Sequence, residues 1–249
     1  MGGHSKWANI KHRKGAQDAK KGKVWTKQVR EITMAAKMAG GLVENNPRLR
    51  KAIEDARATN MPADNIKRAV QKGTGEIPGV VYEELAMEGY GPGGVAIYCE
   101  GTSDNRNRTT NEIRRIFETH GGNMGTPGCV AFLFEKRGVI AVPRAALGED
   151  AMLELALDLG AEDVKTDASG YEVLTAQNAF EAVREGLKAK GVVPESAELA
   201  MVPKTQVTVD RAGAERNIKL IEALEEHDDT SNVYANFDIP DEVLAALEK

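Results

Sequence analysis

Cysteine is scarce: the 249-residue chain contains only Cys99 and Cys129. Two isolated cysteines exclude a disulfide framework and a four-ligand metal site. Each lies in an apolar, strand-like segment, so we expect buried, reduced thiols that pack as small hydrophobic side chains. The four histidines are scattered and lack metal-ligand spacing to other histidines, cysteines or carboxylates. The sequence therefore predicts neither a metal nor a cofactor.

Long hydrophobic runs are missing as well. The longest, such as 129–134, is far shorter than the roughly 20 residues that a membrane-spanning helix needs. No charged segment followed by an apolar one opens the chain as a secretory signal would. We therefore expect a cytoplasmic protein without a membrane partner. With 41% hydrophobic and 29% charged residues, the chain is typical of globular domains, and its length favours two or three of them.

Catalytic signatures are absent from the sequence. Residues 89–94 formally match the dinucleotide pattern G-x-G-x-x-G, but that motif requires a helix immediately after it. Here residues 95–98 are a strand-like run, and Pro92 removes one backbone donor, so a hairpin is the better interpretation. No phosphate-binding loop, nucleophile elbow or zinc-protease motif occurs. We therefore expect a protein that is not an enzyme and that has no apparent small-molecule substrate.

Charge is distributed unevenly along the chain, and this is the most informative feature of the composition. Residues 1–75 contain 17 Lys/Arg and 6 Asp/Glu, a balance of 17 − 6 = +11, whereas residues 76–249 contain 16 and 32, a balance of −16. Such asymmetry points to a polyanionic partner for the basic part. The acidic remainder would weaken indiscriminate attachment along nucleic acid.

The basic N-terminal region supplies most of the candidate contacts to nucleic acid. Lys and Arg neutralise phosphates, while Trp7 has two fates open to it, stacking on a base or packing on the protein. Without apolar periodicity, residues 1–22 are predicted to form an arm with no core of its own. The candidate residues in this region are His4, Lys6, Trp7, Lys11, His12, Arg13, Lys14, Lys20, Lys21, Lys23, Lys27 and Arg30.

A second group of candidates lies at a junction between a strand and a helix. Arg106 and Arg108 follow Asp104, which we expect to cap the helix. The two arginines could reach phosphate, but an ion pair with a carboxylate of the acidic part of the chain, residues 76–249, is at least as well supported.

Hydrophobic spacing predicts three N-terminal helices. Apolar residues recur at helical spacing from residue 23, with Trp25 on the apolar face, until Gly40-Gly41 ends the first helix. Asn46-Pro47 begins the second, and the third runs from Pro62 to Gly73. These short helices predict a compact bundle.

The pattern then changes to strands and helices in the order β-β-α-β, β-α-β-β-α-β and β-α-β. The central unit, β-α-β-β-α-β, matches the ferredoxin-like arrangement. The β-β-α-β piece before it and the β-α-β piece after it make one sheet if they are joined. We therefore predict an α+β protein: a three-helix bundle followed by two ferredoxin-like α/β sandwich domains, one inserted in the other. Strands 129–134 and 205–209 would share a sheet. The predicted parts are an arm (1–22), the bundle (23–76), an α+β domain (77–137 with 204–249) and an inserted domain (138–203).

Several motifs together resemble the YebC/PmpR family. They include Gly3-His4-Ser5-Lys6-Trp7, Asn60-Met61-Pro62, residues 88–94, residues 104–109 and Tyr234-Ala235-Asn236-Phe237-Asp238. The resemblance runs from Gly3 to about Pro240. It implies a helical N-terminal domain and two α+β domains, with no enzymatic activity. Family members are usually described as DNA-binding transcriptional regulators, and a related mitochondrial protein activates translation.

Three functions remain open at the level of sequence. The first is a transcriptional regulator that contacts DNA through its basic N-terminal region. The second is a ribosome-associated translation factor that uses the same charges on ribosomal RNA, because phosphate contacts carry no sequence identity. The third, least supported, is an enzyme with an unrecognised acidic pocket. Oligomeric state is not encoded in any feature that we can identify.

Overall fold

The computed structural model describes residues 21–166 and 170–239, which form a mixed α/β architecture, and the predicted α+β class is confirmed. The helices are α1 (Lys21–Ala39), α2 (Pro47–Ala58), α3 (Ala63–Thr74), α4 (Arg106–Thr119), α5 (Glu149–Asp158), α6 (Phe180–Ala189) and α7 (Arg211–Glu226). The strands are β1 (Glu83–Gly91), β2 (Val95–Ser103), β3 (Asn123–Met124), β4 (Phe134–Pro143), β5 (Asp163–Thr166), β6 (Gly170–Ala176), β7 (Ser196–Pro203), β8 (Val207–Thr208), β9 (Thr230–Ala235) and β10 (Phe237–Asp238).

Helices α1, α2 and α3 share one hydrophobic core, which includes Ile32, Leu49 and Ile66. Local signals set the end of α1 and the start of α2 as the sequence predicts. Gly40 adopts a positive φ of 84° after α1, and the Asn46 side chain accepts a hydrogen bond (3.0 Å) from the Leu49 amide at the start of α2.

The sequence predicts that the third helix ends at Gly73, but α3 continues through Thr74. A Cβ at Gly73 would lie 2.7 Å from the Ala36 Cβ and would also collide with the Thr33 carbonyl oxygen on α1. The helix instead ends at Gly75, which has a positive φ of 80°. Gly73 is therefore a close-packing residue that lets two helices approach.

The first sheet has the strand order β3-β1-β2-β9. Strands β1 and β2 pair antiparallel from Glu83 opposite Ser103 to Gly91 opposite Val95. The predicted hairpin is therefore confirmed, although its turn is shorter than predicted, since only residues 92–94 lie outside the two strands. Helix α4 follows β2 and buries Ile113 and Phe117.

The cap of α4 differs from the prediction. Asn105, rather than Asp104, occupies the N-cap position, and its side chain accepts a hydrogen bond (3.1 Å) from the Arg108 amide. Asp104 instead forms an ion pair with the Arg108 guanidinium at 2.8 Å. The amide oxygen can serve as the cap, which leaves the carboxylate available for a cation.

The second sheet has the order β5-β6-β4-β7, with α5 and α6 between its strands in the chain order β-α-β-β-α-β. This order and connectivity are those of the ferredoxin-like arrangement. Ile140 and Val173 from the sheet pack with Met152 and Leu187 from the two helices in one core.

Three predictions about this region are wrong: the strand at 129–134, the burial of Cys129, and the sheet shared by 129–134 and 205–209. Residues 131–133 form a 3-10 turn, so 129–134 is not one strand, and Cys129 is only partly buried, whereas Cys99 is fully buried. Strand β8 (207–208) pairs in parallel with β10 (237–238) in a separate two-stranded sheet. The short apolar run at 129–134 has strand-like composition, but a 3-10 turn competes with a strand over so few residues.

The chain divides into two compact units. In the described residues, one contains 21–129 with 212–233, and the other contains 130–166, 170–211 and 234–239. The predicted domain boundaries remain predictions. None of the helices within the described residues is long and apolar enough to cross a membrane.

Candidate nucleic-acid interface

The structure describes only part of the predicted interface. Lys21 is the first residue of α1, and its side chain lies outside the described part of the chain. Also outside the described residues are His4, Lys6, Trp7, Lys11, His12, Arg13, Lys14 and Lys20. The candidates whose side chains are described are Lys23, Lys27, Arg30, Arg106 and Arg108.

Three of the described cations lie on one face of α1, because Lys23, Lys27 and Arg30 are spaced four and three residues apart. All three donate to backbone carbonyls at or just beyond the end of α7. Lys23 Nζ lies 3.4 Å from the Glu226 oxygen, and Lys27 Nζ lies 2.6 Å from that of Glu225. Arg30 Nη1 lies 2.6 Å from the Asp228 carbonyl oxygen.

These contacts have a clear electrostatic basis. The last carbonyls of a helix lack partners within the helix and carry a partial negative charge. Helix α7 has no basic residue in its own last turn. The basic face of α1 supplies the missing cations, so part of the charge that predicted nucleic-acid binding stabilises the end of a helix.

A buried carboxylate completes this contact. Asp229 is 3% exposed at its side chain, and its Oδ1 lies 2.6 Å from Arg30 Nη1. Its Oδ2 accepts hydrogen bonds from Arg108 Nη2 (2.8 Å) and from the hydroxyls of Ser103 (3.1 Å) and Thr109 (2.5 Å). We call these five residues the Asp229 cluster. It joins α1 to the end of β2, the first turn of α4 and the segment after α7.

The cluster holds its carboxylate in the ionised form. Burial alone raises the pKa of Asp229, but the hydrogen bonds from Thr109 and Arg108 and the charge of Arg30 outweigh that cost, so the pKa lies below its ordinary value. The same pairing with Asp229 and Asp104 raises the pKa of Arg108. Asp229 and Arg108 are therefore both charged at neutral pH.

The α4 candidates are also paired with acids. Arg108 contacts Asp229 and Asp104, each at 2.8 Å, and Arg106 lies 3.5 Å from Glu83. The alternative that the sequence left open for this junction, an arginine paired with a carboxylate of the acidic body, is confirmed. A role of Arg106 and Arg108 in binding nucleic acid remains a prediction.

The other side of α1 contacts α2. Trp25 Nε1 donates to the Thr59 carbonyl oxygen (3.3 Å), and Gln28 Nε2 donates to that of Asp55 (3.1 Å). Both acceptors lie at the C-terminal end of α2. The ring of Trp25 packs against the core of the helices, as its position on the apolar face predicts. The first half of α1 therefore lies between the ends of two helices.

Sequence reasoning missed Asp229, although one signal was present. The pair Asp228-Asp229 directly follows the predicted end of α7, where carboxylates are disfavoured by the helix dipole unless cations meet them. His227, at the same helix end, also contacts this region. Its Nε2 lies 2.9 Å from a Glu112 carboxylate oxygen, and its Nδ1 accepts from the Asp229 amide (3.2 Å).

The described parts of the chain contain no group of three or more His, Cys, Asp or Glu side chains that could hold a metal ion.

Exposed cations without an ion pair do occur among the described residues. Arg57, Lys67 and Arg68 lie on α2 and α3, and Arg115 lies on α4.

Comparison with known proteins places these elements in a family. Residues 5–76 match the model described as the TACO1/YebC protein N-terminal domain, and residues 82–237 match the model described as the TACO1/YebC second and third domain. A protein of Dictyoglomus turgidum, named a probable transcriptional regulatory protein, is 56% identical over 99% of this chain and 100% of its own.

Two further relatives agree with this assignment. A protein of Elusimicrobium minutum with the same name is 49% identical over the full length of both chains. The crystal structure of a conserved hypothetical protein from Aquifex aeolicus matches with a TM-score of 0.81 and 46% identity, covering 90% of this chain and 92% of that one. The resemblance carried by the sequence motifs is confirmed: the chain belongs to the TACO1/YebC family.

Proposed function

We propose that this protein is a DNA-binding transcriptional regulator of the cytoplasm, without enzymatic activity, that contacts DNA phosphates through basic side chains between residues 4 and 21. The observation that carries the proposal is the local excess of positive charge. Residues 4–21 contain six Lys/Arg and one acid, a balance of 6 − 1 = +5. Lysines and arginines that neutralise phosphates supply most of the affinity of non-specific DNA binding.

The described contacts narrow the proposed site to the start of the chain. Lys23, Lys27 and Arg30 donate to protein carbonyls or carboxylates, and Arg106 and Arg108 pair with acids. These five cations therefore contribute less to phosphate binding than their sequence positions suggest, and the proposal rests on the basic residues before Lys23.

The choice of DNA follows the relatives. The proteins from Dictyoglomus turgidum and Elusimicrobium minutum are both named probable transcriptional regulatory proteins. The described residues include no obvious set of side chains that would read the edges of DNA bases. We therefore expect contacts to the phosphate backbone to dominate, with strong salt dependence and modest sequence preference.

Simultaneous replacement of Lys11, Arg13 and Lys14 by Ala tests the proposal. Binding of a fluorescently labelled DNA duplex would be measured by anisotropy between about 50 and 300 mM salt. We expect weaker binding and a slope of log K against log salt that is flatter by about 2 to 3, since each lost phosphate contact removes roughly 0.9. The melting temperature should barely change, because the sequence predicts that residues 1–22 have no core of their own, and such charges contribute little stability.

A matched control removes three exposed cations from the rest of the protein. Lys136, Lys190 and Lys219 are exposed and form no ion pair within the described residues. Their replacement by Ala changes the net charge equally and should leave the salt slope nearly unchanged. Equal effects of the two triple variants would contradict a defined site at residues 4–21. Preferential binding of ribosomal RNA over duplex DNA would contradict the choice of DNA.

A further inference from the structure

We propose that the Asp229 cluster and the last turn of α7 anchor the start of α1, and that Asp229 is thereby a positioning residue for nucleic-acid binding by residues 4–21. This inference rests on the proposed function. Asp229 would not touch nucleic acid itself. It would fix the start of α1, which residues 4–20 directly precede in the chain.

The anchor consists of contacts between distant parts of the chain. Lys27, Arg30 and Lys23 reach residues that follow them by 198, 199 and 203 positions. Arg108 and Thr109 hold the same Asp229 carboxylate from α4. The Asp229 backbone is tied as well, because its carbonyl oxygen accepts a hydrogen bond (2.8 Å) from the Thr102 amide in β2. A carboxylate held by both β2 and α4 is a rigid point of attachment for a third element, α1.

Apolar burial does not hold this half of α1 as firmly as the second half. Residues 32–36 are all buried, whereas residues 23–30 are half-buried or exposed. Ionic and hydrogen-bonding contacts therefore supply a large share of what keeps the first half of α1 in place. Lys21 is both the first residue of α1 and the last of residues 4–21. Release of the first half of α1 would therefore change the position of Lys21.

Positioning and simple electrostatics predict opposite effects when Asp229 is neutralised. Removal of a negative charge makes the protein more attractive to a polyanion. Loss of a positioning contact has the opposite effect, because phosphate contacts that must form together lose their common geometry. The direction of the change in affinity therefore separates the two mechanisms.

The test compares Asp229→Asn with wild type in two assays. Limited trypsin digestion reports on the anchor, since the cleavage sites after Lys23, Lys27 and Arg30 are unchanged and are protected while α1 stays folded. We expect faster cleavage at these sites in the variant. Anisotropy with a DNA duplex should show affinity about fivefold lower or more, with the salt slope unchanged because the phosphate contacts remain the same in number.

Asp104→Asn is the matched control. It removes one negative charge from another partner of Arg108 and leaves Asp229 with Arg30. We expect wild-type cleavage and an affinity equal to or slightly above that of wild type. Unchanged cleavage in Asp229→Asn would overturn the anchor. Faster cleavage with equal or tighter DNA binding would overturn the positioning role.

A second variant covers the case in which Asp229→Asn does not fold. Arg30→Gln removes the link to α1 but keeps Asp229 paired with Arg108. Arg57→Gln, which removes an exposed cation of α2, makes the same change in charge. We expect faster cleavage after Lys27 and a larger loss of affinity in Arg30→Gln than in Arg57→Gln, and equal values in both assays would overturn the proposal. If wild type itself binds no DNA, the proposed function and the positioning role fall together, while trypsin digestion still decides the anchor.

Discussion

The two four-stranded sheets of this protein use charged side chains differently. At the sheet β3-β1-β2-β9, the Asp229 carboxylate is 3% exposed at its side chain and binds two arginines from different helices. At the sheet β5-β6-β4-β7, the Arg137–Glu162 pair has side chains 32% and 43% exposed. The first arrangement fixes the positions of separate elements, whereas the second adds an interaction at a surface that water also solvates.

The largest expected effect concerns the buried carboxylate. Asp229→Asn should lower the free energy of unfolding at pH 7 by about 3 kcal/mol, because it removes one partner of a buried ionic cluster. The value lies at the low end for such changes because Arg108 is 41% exposed and can be rehydrated. Chemical denaturation followed by circular dichroism measures it. A loss below about 1 kcal/mol would make this cluster equivalent to a surface pair.

Acid should remove the same stabilisation. The pKa of Asp229 is lower in the folded protein than its ordinary value, so its contribution is complete above about pH 4 and is lost as pH falls through the lowered pKa. The difference in unfolding free energy between wild type and Asp229→Asn should therefore be constant from neutral pH to about pH 5 and shrink below about pH 4. A difference that grows as the pH falls would contradict the lowered pKa.

A smaller effect is expected from two helical glycines, one in each compact unit. A Cβ at Gly73 would meet the Thr33 carbonyl oxygen and the Ala36 Cβ, whereas one at Gly186 would meet only the end of the Leu159 side chain, at 2.5 Å. Gly73→Ala should destabilise by about 1 to 2 kcal/mol, since backbone must shift. Gly186→Ala should be close to neutral, because Leu159 can move and alanine favours a helix by about 1 kcal/mol. Thermal unfolding of both variants measures the two losses of stability. Equal losses would show that α1 and α3 can move apart to accommodate the added methyl group.

The smallest effect should come from the exposed pair. Glu162→Gln should change the free energy of unfolding by less than about 1 kcal/mol, because both partners are solvated and Arg137 keeps its contact with Glu135 at 3.0 Å. Added salt should reduce the difference further. A cost comparable with that of Asp229→Asn would remove the distinction between the two sheets.

Several features of the fold could be predicted because their signals are local. Asn46-Pro47 and Gly40 mark helix ends through their own backbone and side-chain chemistry, and the structure confirms both. The β-α-β-β-α-β order could be predicted from alternating periodicity. The pairing of β8 could not, because two-residue strands carry no periodicity, and the close contact at Gly73 depends on a neighbouring helix.

The sequence by itself determined that positive charge is concentrated before residue 76, that the chain alternates helices and strands, and that it resembles a known family. Tertiary structure alone decided where the cations of α1 point. Lys27 and Arg30 face carbonyl and carboxylate oxygens that follow them by 198 and 199 positions. Helical spacing places such side chains on one face, but it does not specify whether that face meets a phosphate, water or the end of another helix. Only the packing of α1 beside the end of α7 brings Asp229 to the basic face of α1.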